Sequence, residues 1–118
     1  MTDEQVINYL RENGYPEQIC SEGRQGLTRR WREFVADVEQ GYTLSFFDYC
    51  NELDVRALIE SCGMGDEVRE EDARFASMLT AKERRVWDSG LPNGFWDFGY
   101  PRNAEGDLLE DLKAAKLA

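Results

Sequence analysis

WREFVADVEQGYTLSFFDYCNELDVR, residues 31–56, decides the fold. Together with Leu27, its residues Trp31, Phe34, Val35 and Val38 fall at i, i+4, i+7, i+8 and i+11, one face of an α-helix. The spacing predicts a helix over 27–40 that ends at Gly41. Ser45 then offers a new cap, with Asp48 three residues on in place of the usual Glu of a capping box. Phe46, Tyr49, Leu53 and Cys50 form the buried face of this second segment. Asp54 is able to cap a further start that carries Val55, Leu58 and Ile59 inward. Residues 45–61 are therefore one helix, or two with a kink near Leu53.

The remaining elements fall against this pair. Upstream, Thr2 caps a helix with Asp3 and Glu4 in its first turn. Val6, Ile7 and Leu10 give it an apolar stripe, and Gly14 stops it. Pro16 suits a first helical position, with a short turn to about Glu22. Gly23 and Gly26 read as a loop. Downstream, Gly63-Met64-Gly65 breaks the chain and Asp66 caps a helix carrying Val68, Phe75, Met78 and Leu79. Thr80 and Glu83 form another capping signature, which predicts a short helix to about Asp88 with Val86 and Trp87 turned inward. SGLPNGFWDFGYP, residues 89–101, has no helical period and at most a short extended segment. After Gly106 a last helix follows, acids first and Lys113 and Lys116 late. The expected fold is one domain over 1–118: a mainly α bundle of five or six helices, with an aromatic, irregular or extended segment at 91–101 lying across it.

Composition narrows the function classes. The 118 residues are 42% hydrophobic, enough for one core. Twenty-four acids against fourteen bases leave a net charge of −10. Phosphate-backbone binding relies on released counterions at Lys and Arg, so direct nucleic-acid binding is not expected, nor is attachment to an anionic membrane. No apolar run is long enough to span a bilayer. The first residues carry acids where a leader would carry bases, so a cytoplasmic location is expected. Cys20, Cys50 and Cys62 have no paired spacing and read as reduced thiols.

Histidine is absent. Ser–His and Cys–His nucleophilic pairs, His-ligated metals and the Glu-x-x-His di-iron pattern go with it. Gly63 and Gly65 lack the Lys-Ser/Thr of a phosphate loop, and no cofactor is expected. Carboxylates remain. Asp48, Asn51, Glu52 and Asp54 could supply oxygens to a cation such as calcium or manganese. Against that, Asp48 and Asp54 serve as caps while Glu52 pairs with Arg56 at i+4. Glu33 and Asp37 lie near Arg29 and Arg30, where local ion pairing is the simpler reading. Arg24, Arg29, Arg30 and Arg32 form the basic cluster, read as neutralising the chain's own acids. Cys50 sits among aromatics with no activating base, as a core residue does. Phe95, Trp96, Phe98 and Tyr100 have two readings. They are the hot spot of an interaction surface, or a flap that closes the open end of the bundle.

The pattern W-x-x-F-V-x-x-V-E-x-G-Y-x-L-S-x-x-D-Y-x-N-x-L-D-V-R at 31–56 resembles small bacterial proteins of unknown function. The resemblance extends loosely to the aromatic segment. It implies a bacterial origin and carries over no functional residue. Two function classes follow from the residues. One is a non-enzymatic acidic binding or regulatory protein, an inhibitor or immunity-like protein for a basic partner. The alternative is a metal-binding protein or enzyme built on the carboxylates around Asp48–Asp54.

Overall fold

A computed structural model describes residues 1–91 and 93–118. Thr2 opens helix α1 (Asp3–Glu12) with a reciprocal capping box: its hydroxyl accepts from the Gln5 amide, and its own amide donates to the Gln5 side chain. Gly14, at φ +76°, turns the chain into α2 (Glu17–Glu39). The expected loop at Gly23–Gly26 is a single break. Gly23 alone leaves helical geometry, at φ 59° and ψ −142°. A Cβ there would meet the Asp3 carboxylate at 2.3 Å. That same carboxylate accepts from the Arg24 amide at 3.0 Å, so α1 caps the restart of α2 from outside. The helix expected over 27–40 is thus the second part of a longer, bent one.

Ser45 caps α3 (Phe46–Ser61) by accepting from the Asp48 amide at 3.1 Å. The segment is one helix, and Asp54 lies inside it, where every backbone donor already has an i−4 partner. Two readings near its end are corrected. Asp66 caps nothing; it sits in a 3-10 turn, Gly65–Val68, that leads into α4 (Arg69–Met78). The helix expected from Thr80 to Asp88 is a strand, β1 (Leu79–Arg85). Its partner is β2 (Phe98–Pro101), antiparallel, with Leu79 opposite Pro101 and Thr80 opposite Tyr100. Thr-Ala-Lys-Glu-Arg-Arg favours helix locally, but the pairing wins. Gly99, at φ +76°, makes it possible, since a Cβ there would stand 2.0 Å from the Thr80 carbonyl oxygen. A 3-10 turn, Phe95–Asp97, precedes β2, and α5 (Gly106–Ala114) closes the chain. Pro92, within the expected irregular segment, lies outside the described residues.

The described residues form the mainly α bundle, of five helices, with a small hairpin added. Helix α2 is central and packs against α1, α3 and α4. Trp31, Phe34, Tyr42, Tyr49 and Phe75 interlock with ring centroids 5.1–5.9 Å apart. Each such ring contributes about 1.5–3 kcal/mol by leaving water. Helix α5 adds Leu108 and Leu112 to the same core. Its start is tied to the loop after α2 by amides of Glu105 and Asp107, which donate to the carbonyls of Tyr42 and Thr43. Among the described residues, no helix is long and apolar enough to cross a membrane.

Candidate functional site

The aromatic segment divides. Trp96 is 3% exposed and lies under Arg56, whose guanidinium carbon is 4.2 Å from the ring centroid. Phe95 packs edge-on to Trp96 and reaches Phe75. Trp87 stays half-buried because its indole N–H donates to Asp54 at 2.8 Å. Phe98 and Tyr100, on β2, are also half-buried. Trp96 therefore completes the core. Phe95 and Phe98 keep an outward side, where they line a small apolar slot of about 110 Å³ with Ala76, Leu79 and Lys82.

The four oxygen-bearing residues proposed from the sequence do not converge. Asp48 holds the Ser45 hydroxyl at 2.8 Å, and Asn51 is exposed beside it. Glu52 turns toward α2, into a cleft with Arg30, Glu33 and Asp37. Asp54 projects from a different side of the helix, to Trp87. Burial raises both the Glu52 and the Asp54 carboxyl, the latter against the pull of the Trp87 bond. Among the described residues, no group of three or more His, Cys, Asp or Glu side chains is placed to hold a metal.

Glu52 does not pair with Arg56. Arg56 instead makes a bidentate contact to Asp72, at 2.9 and 2.7 Å, and a single bond to Glu60 at 3.2 Å. Asp72 also accepts from the Trp31 indole at 2.9 Å. This network joins α2, α3 and α4 and is structural. The basic cluster is likewise spent internally. Arg24 pairs with Glu67, Arg29 and Arg30 with Glu22, and Arg32 with Glu71. Cys50 is buried, and its thiol is pushed up to about 12 by desolvation first and by Asp54 and Asp97 second. It is a packing residue, as expected.

One surface was not singled out by the sequence. Leu44 is 56% exposed and Phe47 is 73% exposed, on the loop before α3 and its first turn. Two adjoining clefts, of about 270 and 130 Å³, share Asp37, Tyr42 and Leu44. The smaller is walled by Glu33, Asp37 and Glu52, floored by Phe34 and Tyr42, and lined by one base, Arg30. Asp48 follows Phe47 directly, while Asp111 accepts from the Phe46 amide at 3.0 Å. Glu105 comes up against Gly41 on the far side of the loop. Two exposed apolar side chains thus stand among six carboxylates from α2, α3, the turn before α5 and α5 itself. A signal existed: Phe47 lies one residue off the Phe46–Tyr49–Leu53 stripe, with Leu44 three residues before it.

The chain matches no protein-family model, no curated protein and no solved structure.

Proposed function

We propose that the protein is a non-enzymatic binding protein that captures a basic segment of a partner protein at the Leu44–Phe47 corner. The observation that carries this reading is the pairing of an exposed Phe and Leu with an acid-walled cleft that has an aromatic floor. A lysine or arginine fits there in two parts. Its stem covers Leu44, and its charged head lies between Glu52 and Asp37. An apolar residue of the same segment covers Phe47. Desolvation of Glu52 favours this, because an arriving cation offsets the hydration that burial removed and adds to the pull of Arg30. The net charge of −10 steers a basic partner in.

The test is fluorescence anisotropy with an arginine- and leucine-rich peptide, and with a peptide of reversed charge, at low and high salt. Capture from native lysate at the same two salts then identifies the partner. Phe47→Ala and Glu52→Gln are each expected to weaken the basic peptide about tenfold, a loss of about 1.4 kcal/mol. Equal binding of the reversed-charge peptide, or indifference to both substitutions, refutes the reading.

A further inference from the structure

Nine of the fourteen bases are held in ion pairs; among the described residues Lys113 and Lys116, at and beyond the end of α5, are not, and neither are the trio Lys82, Arg84 and Arg102. All three lie on or next to the β1–β2 hairpin. The hairpin is irregular in a way that displays them. Thr80 pairs with Tyr100 and Arg85 with Phe98, so β1 carries the extra residues across a bulge. Ala81 sits there at φ 49°, a strained position for a residue with a Cβ, and Lys82, Glu83 and Arg84 are thrown into solvent. At the base of the bulge lies the slot lined by Ala76, Leu79, Phe95, Phe98 and Lys82. Its volume of about 110 Å³ is well below that of a small-molecule pocket and is suited to a single apolar side chain. A bulged, lysine-bearing edge is poorly suited to pairing with an added strand, so the occupant inserts a side chain rather than a backbone.

The slot calls for an apolar knob with carboxylates beside it. The chain carries one such knob itself: Phe47, with Leu44 before it and Asp48 after it. That knob points to solvent and is not docked within its own molecule. We infer that the occupant of the hairpin slot is the Leu44–Phe47 corner of a second copy of this chain. A head-to-tail contact uses one of the two surfaces from each copy. It leaves a free knob on one copy and a free slot on the other, and it propagates to rings or open chains rather than stopping at a dimer. Two bodies of charge −10 repel overall. At about 0.15 M salt that repulsion is screened beyond about 8 Å, while a contact of Lys82, at the slot, with the Asp48 that follows the knob acts within that distance. Self-association covers the same corner that would take a basic partner, so each competes with the other.

Sedimentation velocity of the full chain over a rising concentration series, at physiological ionic strength, tests this. Wild type is expected to show a concentration-dependent rise in mean mass that passes beyond the dimer. Phe47→Glu (or Leu44→Ser) removes the knob, Lys82→Glu reverses the rim of the slot, and each variant alone is expected to stay monomeric. All three positions are exposed, and circular dichroism confirms folding. An equimolar mixture of F47E and K82E is expected to form a one-to-one heterodimer, since one intact knob and one intact slot remain. A wild type that is monomeric to millimolar concentration overturns the inference. So does a dimer that mixing fails to restore, which would mean a two-fold contact, and so does association that survives F47E. Capture of the basic peptide by K82E, unchanged from wild type, shows separately that the corner's affinity for bases stands or falls by itself.

Discussion

Asp72→Asn isolates the Arg56–Asp72 ion pair, the most buried among the described residues. The Arg56 side chain is 5% exposed and that of Asp72 is 15%. Removing one partner of such a pair costs about 3–5 kcal/mol, chiefly because the remaining charge loses its counterpart without regaining water. The lower end applies here, since Glu60 still holds one guanidinium nitrogen at 3.2 Å and is itself half in solvent. The asparagine oxygen keeps the Trp31 indole bond, so the expected loss of about 3 kcal/mol is electrostatic. For a chain of this length it lowers Tm by about 12 °C. With an m-value of about 1.5 kcal/mol/M, it lowers the urea midpoint by about 2 M. Urea unfolding followed by tryptophan fluorescence and far-ultraviolet circular dichroism reads it directly. The second arm is Arg56→Met in the D72N background, which removes the stranded charge and keeps an apolar side chain over Trp96. It is expected to recover about half of the loss. A D72N cost below about 1 kcal/mol, or a double variant less stable than D72N, refutes the argument that desolvated charge governs this site.

Gly99→Ala forces a Cβ toward the Thr80 carbonyl at φ +76°. It is expected to cost about 2 kcal/mol or more and to loosen the hairpin while α1–α3 persist, as amide hydrogen exchange would show. Protection in β1 equal to wild type would sink that expectation. Asp97 is fully buried, with one oxygen unpartnered among the described residues, and burial raises its carboxyl despite the Gly94 amide and Arg85. A raised folded-state value means that its contribution to stability is fully present below the unfolded carboxylate range and is lost as pH rises through the folded value. Asp97→Asn is therefore expected to be more stable than wild type at pH 7 by about 1 kcal/mol, and the difference is expected to shrink toward about pH 4. Urea unfolding at the two pH values measures it. A pH-independent difference would place the effect elsewhere.

What the sequence made legible followed from periodicity and caps. Thr2, Ser45, Gly14 and Gly41 mark boundaries because the chemistry of a helix end is local. The apolar face of α2 reads from Leu27 to Val38 because every residue on it meets the same core. The failures are non-local. Nothing near Thr80 announces a strand, because the donor and acceptor that make it one come from Tyr100, twenty residues on. Gly99 was the available clue, as a glycine between two aromatics whose use is to let another backbone approach. Helix spacing points Arg56 to Glu52, yet Asp72 wins because it brings two oxygens to two guanidinium nitrogens and is largely buried with it.

The candidate surface is harder to read from the sequence for a related reason. Aromatic content marks 95–100, where large rings cluster, yet in the fold Trp96 closes the core while Phe95 and Phe98 keep an outward side. Trp96 is buried because the bundle of α2, α3 and α4 is open on that side and an indole fills it, with the Arg56 guanidinium across its face. The residue left outside is Phe47, which in sequence is merely the second of two phenylalanines. Its exposure follows from helix geometry. Phe46 takes the inward position beside Tyr49, at 6.5 Å between ring centroids, and a step of about 100° carries Phe47 off that face. A helix start with one phenylalanine in and one out sacrifices burial at the second, and folding alone gives no return for that. We propose that the acid-walled cleft beside it and the Lys82-edged apolar slot elsewhere on the molecule offset that loss when another chain arrives.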